Sequence, residues 1–157
     1  MKLLKLTING LPHFKDVLDI DLVAQQRVND DDKERLCNVF SKIYVNKALS
    51  FIGINASGKT TILKAILFVM KMLNNEAINN IPSKTILDDL DDKQLVTITS
   101  FFFDGTYVNK LESSIGKEIN ALDGSEKLVI RDERLWSKDF HKTKTKKALF
   151  DFADSDL

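Results

Sequence analysis

Ala48-Leu49-Ser50-Phe51-Ile52-Gly53-Ile54-Asn55-Ala56-Ser57-Gly58-Lys59-Thr60-Thr61 is the stretch on which the fold turns. Its first five residues are short, mostly apolar and stop at a glycine, which predicts a strand buried on both faces in the middle of a sheet. Residues 59–73 contain good helix formers and no Gly or Pro, and Asn74-Asn75 marks their end. Between strand and helix stands the spacing Gly-x4-Gly-Lys-Thr, a P-loop pattern whose confirming context is a strand before it and a helix after it.

The chemistry follows from the residue types. A triphosphate needs many donors packed closely around it, and backbone N–H groups supply them only where the chain wraps without Cβ obstruction; Gly53 and Gly58 give that freedom. The helix that follows adds its unpaired first N–H groups, from residues 57–61, and its partial positive charge. Lys59 is expected to reach the β- and γ-phosphates, the Thr60 hydroxyl to hold Mg²⁺, and Thr61 to flank the α-phosphate. The candidate nucleotide-binding residues are therefore Gly53, Asn55, Ala56, Ser57, Gly58, Lys59, Thr60 and Thr61, with Lys59 the catalytic candidate and Thr60 the metal ligand.

Outward from the loop, residues 3–8 and 17–22 alternate apolar and polar with Asn9-Gly10-Leu11-Pro12 between them, which predicts an antiparallel pair. Leu36, Val39, Phe40 and Ile43 fall at i, i+3, i+4 and i+7 behind the carboxylates of Asp30, Asp31 and Asp32, which predicts a short amphipathic helix. Residues 95–103 and 106–115 flank Asp104-Gly105, a dipeptide suited to a two-residue type I′ hairpin turn. A further strand is expected over residues 127–131, and the polar, lysine-rich tail from residue 142 promises little order. The sum is one α/β lobe with a mixed sheet and an antiparallel β portion.

Composition narrows the class. With 43% apolar and 29% charged residues in 157, the chain can bury a real core. Its 23 basic and 23 acidic side chains cancel, so no overall field draws it to nucleic acid or an anionic membrane. The longest apolar run, residues 62–73, is broken by Lys64 and Lys71 and is too short to cross a bilayer. Cys37 is the sole cysteine, so no intrachain disulfide forms and a reducing cytoplasm is the simplest compartment; His13 and His141 lie too far apart in sequence to suggest a metal site.

Asn55 at the third position of the loop and Ser57 before Gly58-Lys59 resemble the ABC-type heads of SMC and RecF-like ATPases. The opening Leu3-Leu4-Lys5-Leu6-Thr7-Ile8-Asn9-Gly10 with Phe14-Lys15 is similar to the first strand and "N-F-K" region of those heads. Gln25-Gln26-Arg27-Val28 and Ile43-Tyr44-Val45-Asn46 resemble bacterial AAA-family ATP-binding proteins, some of which serve in phage defence or abortive infection. The resemblance spans residues 1–75 and continues weakly to 115. It implies a P-loop NTPase fold, ATP and Mg²⁺ as ligands, and an N-terminal lobe completed by a second head or by a C-terminal half. In such heads the Walker B carboxylate, signature motif and switch histidine lie in that second half.

None of those groups is evident here. Leu87-Asp88-Asp89 has too short an apolar run for Walker B, Phe101-Phe102-Phe103-Asp104 reads as a hairpin, and Leu128-Val129-Ile130-Arg131-Asp132-Glu133 puts Arg131 where a buried strand needs an apolar residue. Gln94 precedes its strand where the family's Q-loop glutamine follows one. Two functions stay open: an ATPase, active when complete or dimerised, and a nucleotide-gated binding module without turnover of its own. A nucleic-acid-associated defence or repair component is a third, for which Phe101-Phe102-Phe103 and the run His141-Lys142-Thr143-Lys144-Thr145-Lys146-Lys147 read more simply as core and solvated surface. Tyr44 and Cys37 read as packing, His13 as a surface side chain.

Overall fold

The alternating N-terminus does pair with itself. In the computed structural model, which describes residues 1–26, 28–53, 58–143 and 145–157 without the side chains of Asp30 and Lys142, β1 (Lys2–Asn9) runs antiparallel to β2 (Leu18–Asp21). Leu6 stands opposite Ile20 and Ile8 opposite Leu18. On its other side β1 pairs with β5 (Val96–Phe103), which pairs with β6 (Tyr107–Ile119), which pairs with β7 (Glu126–Asp139). The sheet order is β2-β1-β5-β6-β7 and every pairing among the described residues is antiparallel, where the sequence had led to expect a mixed sheet.

The helix after the loop has the anticipated bounds. α1 (Lys59–Leu73) turns Ala65, Phe68, Val69 and Met72 onto Leu6, Ile8, Val96, Ile98 and Ile115 of the sheet. Short 3-10 turns at Ile78–Asn80 and Pro82–Leu87 close this core with Ile78, Ile81, Ile86 and Leu87.

The opposite face of the sheet is covered too, by elements that the sequence had misassigned. The expected helix at residues 36–43 is a hairpin of β3 (Leu36–Phe40) and β4 (Ile43–Asn46). Ser41, left-handed at φ 45°, makes the reversal that places Phe40 beside Ile43. Because the turn falls inside the apparent heptad, the helical spacing of Leu36, Val39, Phe40 and Ile43 is coincidental. β4 also reaches the end of β2: Ala24 N donates to Tyr44 O at 2.9 Å and Asn46 N to Leu22 O at 3.1 Å. Phe40, Ile43 and Val45 thereby pack on Leu4, Phe101, Phe103 and Val108.

The described part of the tail also carries regular elements. After a 3-10 turn at Phe140–Lys142, α2 (Lys146–Phe150) is capped by Thr145, whose hydroxyl accepts from Ala148 N at 3.2 Å. Phe150 and Phe152 close on Phe101 with ring centroids 5.0 and 6.0 Å apart, and Leu149 is fully buried. Buried Lys138 fastens the segment: its ammonium donates to Ala148 O and Asp151 O and lies 3.9 Å from the Phe152 ring. Burial pushes its pKa down, against the opposing pull of Asp156 and Asp151. These aromatic contacts join the described tail to the sheet.

The hairpin between β5 and β6 forms, one residue later than its dipeptide suggested. Gly105 takes φ 120° while Asp104 is not left-handed, so the turn is not type I′. Asp104 closes it instead. Its N–H donates to Tyr107 O at 3.2 Å, and its carboxylate accepts from Thr106 N, Tyr107 N and Asn109 Nδ2 at 2.8, 2.7 and 3.0 Å. Partial desolvation raises the carboxyl pKa, but these donors outweigh it and the net shift is downward. The strand expected at residues 127–131 grows into the full length of β7, with Arg131 at a bulge between Asp132, opposite Ser114, and Ile130, opposite Ile115. No described helix is long and apolar enough to cross a membrane.

Candidate phosphate-binding site

The segment that enters the loop is not the central strand its composition suggested. Residues 48–53 carry no regular structure, and Ile52 is 94% exposed. The reason is one of neighbours: a strand buried on both faces needs a partner on each side, and the positions between β2 and β7 are taken by antiparallel strands. Of the candidate residues, Asn55, Ala56 and Ser57 lie outside the described residues. The remaining five, Gly53, Gly58, Lys59, Thr60 and Thr61, are placed.

Gly58 is the N-cap of α1, left-handed at φ 80° and ψ 7°, and its carbonyl accepts the first helical bond from Ile62 N at 2.9 Å. The first-turn N–H groups have no intrahelical acceptor, and a glycine cap brings no side chain to them. Lys59 folds back across the loop, its Nζ donating to Gly53 O at 2.7 Å. Thr60 is exposed and Thr61 half-buried at the same end of α1. A half-buried helix N-terminus headed by a left-handed glycine, with an ammonium held on a carbonyl six residues back, is what the structure makes of these candidate residues. For a cation, Thr60 offers a single hydroxyl; among the described residues no group of three His, Cys, Asp or Glu side chains converges as a metal site.

Closeness to Gly58 is itself informative. A Cβ there would stand 2.9 Å from Phe14 Cζ, so the ring of Phe14 already occupies the space that only glycine leaves. Phe14 packs against the α1 core from the loop between β1 and β2, where its N–H donates to Leu11 O at 3.1 Å. Its neighbour His13, left-handed at φ 66°, meets Asp89 with Nε2 2.8 Å from Oδ2. In the sequence only the resemblance of its surroundings marks Phe14, and its packing on Gly58 joins residues 44 positions apart, which no local pattern encodes.

Three of the acids in the Walker B candidates have partners of their own. Asp89 pairs with His13, and Asp104 closes its hairpin. Glu133 accepts from Ser113 Oγ at 2.7 Å and lines an open groove of about 730 Å³ with Met72 and Leu73. That is the C-terminal end of α1, about 22 Å along the helix from Gly58 at 1.5 Å per residue. Gln94 is exposed in the turn before β5, its N–H bonded to Asp91 O at 3.1 Å. Tyr44 and Cys37 are half-buried in the β3–β4 hairpin. No family model, curated protein or solved structure matches this chain.

Proposed function

We propose that the chain binds Mg·ATP through residues 53–61 as the P-loop lobe of an ABC-type ATPase. The observation that carries the reading is the left-handed Gly58 at the head of a fifteen-residue helix, with Lys59 Nζ closed onto Gly53 O at 2.7 Å. In this reading the ammonium exchanges the carbonyl for the β- and γ-phosphate oxygens, the N–H groups of the first turn take the same phosphates, and the Thr60 hydroxyl holds Mg²⁺.

Exposed apolar surface supports the view that a second head or a further half completes the lobe. Leu49 and Ile52 precede the loop without a strand partner, and Leu63 and Leu67 form an exposed stripe on α1, opposite the side chains it buries. A helix apolar on both sides is suited to packing between two layers.

A nucleotide-gated module without its own turnover is the second reading. It is favoured by the placement of Asp104, which closes its hairpin, and of Glu133, which lies at the C-terminal end of α1. The neutral charge balance lends nothing to a direct role on nucleic acid.

Calorimetric titration of Mg·ATP into the wild type and Lys59→Ala, followed by phosphate release on the same samples, tests the reading. Saturable binding lost in the variant supports the cradle. Phosphate release then separates an ATPase from a binding module, and absence of binding by the wild type sinks both.

A further inference from the structure

We propose that Phe14 is a positioning residue of the phosphate loop: its ring, lying on the bare Cα of Gly58, holds that residue left-handed and so keeps the first-turn N–H groups of α1 aimed at the bound phosphates. The proposal rests on the reading of residues 53–61 as a nucleotide site.

Gly58 reverses the chain into α1 at φ 80°, and a glycine is free to leave that conformation because no side chain penalises the alternatives. The fixing must come from outside the loop. Phe14 Cζ lies 2.9 Å, and Cε1 and Cε2 each 3.6 Å, from the position a Cβ on Gly58 would take, so the ring tip fills that side of the residue.

The ring is itself anchored. It packs against the core under α1, its own N–H is bonded to Leu11 O, and His13 is tied to Asp89 at 2.8 Å. Held on both sides, the β1–β2 loop acts as a brace running from the 3-10 turn region before Asp89 to the head of α1. Preorganised donors bind an anion without first paying the ordering of the loop.

Removing the ring lets Gly58 sample other conformations, and apparent affinity falls in proportion to the binding-competent fraction; a competent fraction of about one tenth gives about tenfold weaker binding. Leucine refills most of the space, so Phe14→Leu is expected to stay close to wild type.

The test titrates Mg·ATP into the wild type, Phe14→Ala, Phe14→Leu and Lys59→Ala, and records the Gly58 amide resonance of each protein without nucleotide. Weakened binding in Phe14→Ala, rescue in Phe14→Leu and a Gly58 amide displaced only in Phe14→Ala are expected. Unchanged affinity in Phe14→Ala, beside a wild type that binds and a Lys59→Ala that does not, overturns the role of Phe14 and leaves the nucleotide reading standing. If the wild type fails to bind, the nucleotide reading falls. The Gly58 resonance then decides the remainder: displacement in Phe14→Ala alone retains Phe14 as the brace of this loop, and an unmoved resonance removes that as well.

Discussion

Gly58→Ala is a substitution whose cost follows from the geometry of the helix cap. In most helices a Gly-to-Ala change stabilises, by about 0.5–1 kcal/mol, because alanine loses less backbone entropy on folding. Here two terms oppose it. An alanine forced left-handed at φ 80° costs roughly 1–2 kcal/mol. Its methyl would stand 2.9 Å from Phe14 Cζ, so the ring must shift, and a displaced or off-rotamer side chain adds on the order of 0.5–1.5 kcal/mol. The sum is a destabilisation of about 2 kcal/mol, or about 4–8 °C in Tm for a chain of this size. Urea unfolding of Gly58→Ala in the wild-type and Phe14→Ala backgrounds separates the terms. In the second background the steric part vanishes and, with the ring no longer holding residue 58 left-handed, at most roughly 1–2 kcal/mol of conformational strain remains. A Gly58→Ala protein as stable as wild type, or more so, would refute the left-handed cap, and equal costs in both backgrounds would refute the contact with Phe14.

Two further outcomes concern the cores. Phe68→Ala empties a fully buried site under α1 and is expected to lower unfolding free energy by about 3–5 kcal/mol in urea titrations; a cost below about 1 kcal/mol would mean that α1 does not pack on this sheet. Asp104→Asn keeps an acceptor at the hairpin but removes its charge. Because the folded carboxyl pKa lies below its ordinary 3.8, the charge contributes stability above that value and loses it as pH falls through the lowered folded pKa. The Tm difference between wild type and Asp104→Asn should therefore hold steady through neutral pH and close below about pH 3.8, and a gap that persists into strong acid would contradict the assigned hydrogen bonds.

Local sequence was a good guide wherever one element met its own periodicity. The alternation of Leu4, Leu6 and Ile8, the fifteen helix-forming residues from Lys59, and the turn residues around Gly105 each specify an element whose neighbours are close in the chain. It misled where a partner decided. Leu36, Val39, Phe40 and Ile43 satisfy a helical spacing, but pairing with Asn46, Val45 and Tyr44 across Ser41 and docking on Phe101 and Phe103 hold them as a hairpin. Phe140, Phe150 and Phe152 were hidden among lysines until the second face of the sheet gave them a surface.

By itself the sequence determined the P-loop spacing, the length of α1 and the antiparallel opening, since glycine freedom, helix propensity and strand alternation act over a few residues. Only the tertiary structure decided that residues 48–52 enter the loop without joining the sheet, that the described strands all pair antiparallel, and that Phe14 closes on Gly58. Those outcomes depend on which surfaces meet across tens of residues, and burial free energy is awarded to the assembled contact and not to the residues in order.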